Sequence, residues 1–282
     1  MKAIQITQFG GPEVMKYVDL PDPVASGEDV VMDVTAIGIN YADTHQTEDS
    51  YLSKQTLPLI PGMEVVGTLP NGQRVLALAA GGGYCQKTLV NPKQVIPLPD
   101  QVSDGAALAM MVQRITAYHI LKTVGHFKAG ESVVVHAGAG GVGSLAIQLA
   151  KLWGGFVIAV TSSDEKKKLC KELGADVVID ANVEDMNAAL RAANGGKSVD
   201  LVLEMVGGKT FDQSLEALAM FGRIVIYGMA SRTMPAPVHP ATLMGKSKSI
   251  SGFWLVNCLD IIKNTESVGI EFFKSRNDYE KL

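Results

Sequence analysis

The residues with the plainest chemical meaning are three glycines, Gly138, Gly140 and Gly143, in the run Val133-Val134-Val135-His136-Ala137-Gly138-Ala139-Gly140-Gly141-Val142-Gly143. They form G-x-G-x-x-G directly after an apolar strand and at the opening of a helix. The three positions serve a tight turn, a close approach of backbone to pyrophosphate, and close packing of helix on strand. The free N–H groups and positive dipole end of the helix then face a phosphate. A dinucleotide site is therefore expected on Gly138, Gly140, Gly141, Val142 and Gly143. Roughly 20 residues beyond the glycine turn, NAD-selective sites place Asp or Glu against the ribose 2′-hydroxyl. Here the second strand ends in Thr161, Ser162 and Ser163, with Lys166 in the first turn of the next helix. Hydroxyls and an ammonium in place of a carboxylate suit a 2′-phosphate, so the expected cofactor is NADPH, held there by Ser162 and Lys166. Asp164 and Glu165 lie close by and weaken the local field.

These residues need a parallel sheet to stand on. Near-continuous apolar strands are expected at Ser132–Ala137, Phe156–Thr161, Val177–Asp180, Leu201–Val206 and Arg223–Tyr227. Amphipathic helices alternate with them at Val142–Leu152, Asp164–Leu173, Glu184–Ala193 and Thr210–Met220. Such alternation implies a parallel sheet covered on both faces. Ser249–Leu255 reads as a sixth strand and Cys258–Phe273 as a closing helix. The first hundred residues are β-rich instead. Glu28–Val34 and Tyr84–Val90 read as strands, and Met63–Leu69 pairs with Gln73–Leu78 across Pro70-Asn71-Gly72, since Asn-Gly tolerates the positive φ of a hairpin turn. Ala106–Thr123, rich in Ala, Leu and Met, reads as one long helix.

The bulk properties fit this division. A chain of 282 residues implies about two domains. A net charge of −4 carries no sign of the basic footprint of a nucleic-acid binder. Three scattered cysteines, Cys85, Cys170 and Cys258, form neither a disulfide framework nor a C-x-x-C metal site. The start MKAIQITQFGG has no apolar run of the signal-peptide kind, and no stretch approaches the roughly 18 apolar residues of a membrane span. A soluble, cytoplasmic protein is expected.

Several motifs reach beyond a general dinucleotide fold. Ala139-Gly140-Gly141-Val142-Gly143 with Gln148-Leu149-Ala150-Lys151 resembles the A-x-G-G-V-G…Q-x-A-K signature of the zinc-independent, zeta-crystallin-like quinone oxidoreductases of the medium-chain dehydrogenase/reductase superfamily. Gly38-Ile39-Asn40-Tyr41-Ala42-Asp43 is similar to their G-x-N-x-x-D, and Pro58–Gly67 to P-x-x-P-G-x-E-x-x-G. Gln113–Tyr118 resembles Q-x-x-T-A-Y, and Leu173–Asp176 resembles L-G-A-D. The match runs in order to about residue 255. It departs at a shorter hairpin around Asn71-Gly72, at Thr47 in place of a frequent arginine, and at Ala181 in place of a cofactor-contacting tyrosine. Members of the family also continue beyond the position of Leu282, returning a strand and helix to the first domain.

The resemblance implies an α/β fold: a GroES-like catalytic domain over residues 1–105, with 256–282 packing back on it, and a doubly wound Rossmann domain over 106–255. It implies hydride transfer from NADPH to a quinone or to the β-carbon of an enone, without metal. Asn40 and Thr116 are then expected near the nicotinamide, Tyr51 in the substrate cleft, with Tyr51 or water as the proton source, and Gly228 among the cofactor contacts. A non-catalytic NADPH-binding redox sensor or assembly protein is the alternative. His45 reads as a solvated histidine in a polar loop, His119 as a core residue, and His136 as packing and bonding to the glycine turn. Zinc is not expected, because Asn40 and Met63 stand where the superfamily's alcohol dehydrogenases carry Cys and His ligands. A homodimer is expected across the edge at Ser249–Leu255, beside exposed Phe253 and Trp254.

Overall fold

The structure is a computed structural model that describes residues 1–50, 52–79 and 82–258. The chain divides into two units, Met1–Val112 and the remainder from Gln113.

In the first unit, alternating apolar positions build an antiparallel sheet. Strands β1 (Lys2–Gln5) and β2 (Lys16–Asp19) form a separate ribbon. The sheet itself contains β3 (Val30–Gly38), β4 (Glu64–Thr68), β5 (Arg74–Leu78), β6 (Lys87–Val90) and β7 (Ile96–Pro97), in the order β6-β3-β4-β5-β7. Between β3 and β4 the chain forms helix α1 (Tyr41–Thr47), where a polar loop was expected. The expected hairpin is present: Thr68 pairs with Arg74 and Gly67 with Val75. Gly72 turns it at φ +85, in the left-handed region that glycine enters without cost. Met32, Val65, Val75, Ala77 and Val90 fill the core of this unit.

The segment expected as one helix from Ala106 to Thr123 is two, α2 (Asp104–Ala109) and α3 (Val112–Leu121). The cause lies far away in sequence. The Val112 N–H donates to Glu64 Oε2 at 3.0 Å instead of back along the helix, and the chain steps at Met110-Met111.

The second unit is a six-stranded parallel sheet. It contains β8 (Ser132–His136), β9 (Phe156–Thr161), β10 (Val177–Asp180), β11 (Val199–Glu204), β12 (Leu218–Ile226) and β13 (Ser249–Gly252), in the order β10-β9-β8-β11-β12-β13. Helices α4 (Gly141–Leu152), α5 (Asp164–Glu172), α6 (Met186–Ala193) and α7 (Gly208–Ala217) connect the first five strands, and α8 (Pro240–Met244) precedes the last. Side chains of a strand point alternately to opposite faces, and β8 displays this cleanly. Val133 and Val135 join one core with Ile147 of α4 and Ile120 of α3, whereas Val134 joins the other with Leu190 of α6 and Phe211 of α7. Both faces of β8 are thus closed to water, which accounts for its unbroken apolar run.

Edge strand β13 ends earlier than expected, and Phe253 and Trp254 are half-buried rather than exposed. The Phe253 ring stacks on His119, centroids 6.0 Å apart, so its apolar surface is already engaged. The expected helix Cys258–Phe273 lies outside the described residues from 259 onward. No helix among the described residues is long and apolar enough to cross a membrane.

Candidate functional site

The glycine turn joins β8 to α4 at the carboxyl end of the sheet. Ala137 holds φ +50, a strained conformation for a residue with a Cβ. The Gly138 N–H donates to the Val160 carbonyl at 3.0 Å and that of Gly140 to Ala137 at 2.8 Å. Helix α4 starts at Gly141, and its first intrahelical bond runs from Ser144 N–H to the Gly140 carbonyl at 2.8 Å. The amides of Gly141, Val142 and Gly143 precede that bond, so they are the donors a helix N-terminus leaves for a ligand. The missing side chains let turn, strand and helix pack closely. A Cβ at Gly143 would collide with the Ala137 carbonyl, and one at Gly138 would meet Ala159 Cβ at 3.0 Å and Cys170 Sγ at 3.1 Å.

Beside the turn lies a cleft of about 390 Å³ lined by His136, Ala137, Ala139, Gly140, Val160, Thr161, Ser162, Lys166, Ala181, Met186, Val206 and Thr210. Four strand ends, β8 to β11, contribute to it, the usual ligand position in an open α/β sheet. Three residues singled out from sequence, Gly140, Ser162 and Lys166, therefore share one cavity. Ser162 and Lys166 are exposed, and Ser163 caps α5 by accepting the Lys166 N–H at 3.3 Å. Among the described residues no carboxylate is paired with the Lys166 ammonium, whereas Lys167 holds Asp164 and Lys168 holds Glu172. Ala181 contributes only a methyl group to the same cleft. Thr116 is buried on α3 and does not line this cleft. Gly228 follows β12, where its missing side chain lets the backbone approach Met205 Cβ. The loop after β11 is held by Glu204, whose buried carboxylate accepts the amides of Val206 at 2.7 Å and Gly207 at 3.1 Å.

His136 also lines the cleft, but its hydrogen bond runs to Ser214 of α7 at 2.9 Å rather than to the glycine turn. The ring is only 1% exposed, and burial holds its pKa down at about 4. The folded protein thus keeps it neutral where the unfolded chain, near 6.5, takes up a proton. This contribution to stability is full above pH 6.5 and is lost as pH falls toward 4. His136→Gln removes the proton-binding group. Urea unfolding from about pH 7 to about pH 4 is expected to show the wild type losing about 3 kcal/mol relative to the variant. A pH-independent difference between the two would refute this.

In the first unit, Asn40 stands at the head of α1 and is 8% exposed. Its backbone N–H donates to Asp43 Oδ2, and its side-chain Nδ2 donates to Glu64 Oε1, both at 2.8 Å. Tyr84 donates its hydroxyl to the same Asp43 oxygen. Glu64 is fully buried and bonds both Asn40 and Val112, so one carboxylate fixes the Asn40 amide and the start of α3. Burial pushes the carboxyls of both Asp43 and Glu64 above the ordinary range, against the pull of the hydrogen bonds they accept. Sequence reasoning assigned Glu64 no role of its own. The only trace was its place in the P-x-x-P-G-x-E segment. His45 bonds Ser50 at 2.8 Å from the face of α1. Thr47 is buried and bonds the Thr44 carbonyl. Tyr51 lies outside the described residues.

An open parallel sheet with a glycine turn and a cleft at its carboxyl end defines a dinucleotide-binding protein. Comparison with known proteins narrows this. Residues 26–100 match the alcohol dehydrogenase GroES-like domain and residues 141–275 the zinc-binding dehydrogenase domain. The chain is 32% identical over 268 residues to a quinone oxidoreductase of Lama guanicoe, covering 90% of this chain and 80% of that one. It is 34% identical over 256 residues to prostaglandin reductase-3 of Bos taurus, covering 84% and 67%. The quinone oxidoreductase of Thermus thermophilus, studied also in complex with NADPH, superposes with a TM-score of 0.80 at 36% identity, over 97% of this chain and 85% of that one. The chain belongs to the quinone oxidoreductase family of the medium-chain dehydrogenases/reductases.

Proposed function

We propose that this protein reduces a quinone, or the activated double bond of an α,β-unsaturated carbonyl, with NADPH as the hydride source. The cleft that joins Gly140, Ser162 and Lys166 carries this reading. The close-packed glycine turn and the N-terminal amides of α4 suit a pyrophosphate, and Ser162 and Lys166 suit a 2′-phosphate. Bound there, the nicotinamide supplies the hydride. The chain's own residues bind, orient and exclude water. Asn40, its amide fixed by Glu64, and Thr116 are assigned to the nicotinamide end, with Gly228 among the cofactor contacts. Tyr51 or water supplies the proton. A relative named quinone oxidoreductase supports the quinone reading, and one named prostaglandin reductase supports a reductase.

The reaction is proposed to need no zinc, because Asn40 and Met63 offer an amide and a thioether where ligands are required. Without a Lewis acid for the alkoxide, simple alcohols should be poor substrates. The test is NADPH consumption with a panel of quinones, alkenals and alcohols, with and without a chelator. Turnover of quinones or alkenals that survives the chelator is expected. Tight NADPH binding without turnover would favour the non-catalytic alternative, and chelator-sensitive alcohol oxidation would contradict the metal-free reading.

We further propose a homodimer formed across β13, which among the described residues pairs only with β12 and so leaves one edge of backbone donors and acceptors unpaired. Light scattering at micromolar concentration should give twice the chain mass. A monomer would contradict the proposal.

A further inference from the structure

Two carboxylates are close sequence neighbours of residues that line the candidate 2′-phosphate position. Asp180 immediately precedes Ala181, which lines the cleft from β10, and Asp164 sits two residues beyond Ser162, which lines it from β9. Both have the same sign as a phosphate. A single ammonium stands between them. Lys167 Nζ lies 2.6 Å from Asp180 Oδ2 and 3.1 Å from Asp164 Oδ1. The Asn182 backbone and side-chain N–H groups hold the other Asp180 oxygen, at 2.9 and 3.0 Å, so that carboxylate is fixed in place.

We propose that Lys167 is a specificity residue for NADPH over NADH that acts without touching the phosphate, by neutralising Asp164 and Asp180, the sequence neighbours of the cleft-lining Ser162 and Ala181. This rests on the reading that Ser162 and Lys166 hold the 2′-phosphate. With Lys167 present the trio carries one net negative charge, and without it two. Charges separated by less than the Debye length of about 10 Å are only partly screened. The extra repulsion falls on a dianionic phosphate and leaves a neutral 2′-hydroxyl unaffected. Neighbouring Lys166 is left to meet the phosphate, because Asp164 and Asp180 are held by Lys167. Lys168, which pairs with Glu172 a turn further along α5, has no such part.

The test is fluorescence titration of the full chain with NADPH and with NADH at low and high salt. The variants are Lys167→Gln, Lys167→Arg, the double variant Lys167→Gln with Asp180→Asn, and Lys166→Ala. Lys167→Gln is expected to weaken NADPH binding by about 3- to 10-fold at low salt, less at high salt, with NADH changed by less than about 2-fold. Arginine at 167 should retain wild-type selectivity, and the double variant should recover most of the loss, because it removes the exposed charge. A merely structural lysine would affect both cofactors alike and would not be rescued by Asp180→Asn; either result overturns the proposal, as does an unchanged NADPH affinity. Lys166→Ala separates the two levels. Loss of NADPH selectivity there with none in Lys167→Gln defeats only this inference, whereas no selectivity change in Lys166→Ala defeats the cleft reading and this inference with it.

Discussion

Lys166→Ala is expected to weaken NADPH binding by roughly 10- to 150-fold while leaving NADH binding nearly unchanged, since a charge-assisted contact is worth about 1.5–3 kcal/mol. Lys166 lines the cleft together with Ser162 and Gly140 and is exposed, so its removal leaves no cavity in the core. The loss should therefore appear in cofactor affinity and not in stability. Two nearby acids that could have competed for its ammonium are occupied: Asp164 and Asp180 both lie against Lys167. Calorimetric titration with both cofactors checks this. Equal loss of both would contradict it and would place the residue on a part of the nucleotide that NADPH and NADH share.

Gly143→Ala is expected to reduce the affinity for both cofactors by about 100-fold or more and to lower thermal stability. Two effects oppose each other. Alanine in a helix is favoured over glycine by about 1 kcal/mol. Against this, the new Cβ collides with the Ala137 carbonyl and lies 2.9 Å from Gly138 Cα, backbone atoms that cannot rotate away. Forcing a methyl into a filled site costs about 1–3 kcal/mol, so the collision wins on stability. It also pushes α4 away from the turn, and a displacement of about 1 Å is enough to cost roughly 100-fold where geometry is critical. Gly140→Ala is the milder control, since its Cβ would approach the same carbonyl only to 3.2 Å. Thermal unfolding and NADPH titration of the two variants check the order. Wild-type affinity in Gly143→Ala would show that the turn does not hold the pyrophosphate.

The second unit was largely legible because its signals are local. Strands buried on both faces read as continuous apolar runs, as at Val133-Val134-Val135, and glycine punctuates their ends. The glycine turn, Ser162 and Lys166 sit within one strand–turn–helix context each, so their meeting in one cleft follows from the topology. The first unit was less legible. Its helix α1 has seven mostly polar residues, Tyr41–Thr47, too few for a helical period to emerge. The break between α2 and α3 comes from a bond between Val112 and Glu64, 48 residues apart, and no local pattern carries that information. The same distance problem hid the partner of His136, Ser214, which lies 78 positions away. Phe253 and Trp254 looked exposed because their coverage, as of Phe253 by His119 of α3, is likewise tertiary.

Comparing kcat/KM for NADPH and NADH on one quinone, such as 1,4-benzoquinone, tests the central claim most directly. Rapid NADPH oxidation is expected, with a preference over NADH of at least about 10-fold, the margin that one charge-assisted phosphate contact supplies. Faster turnover with NADH, or NADPH bound but not oxidised, would contradict it.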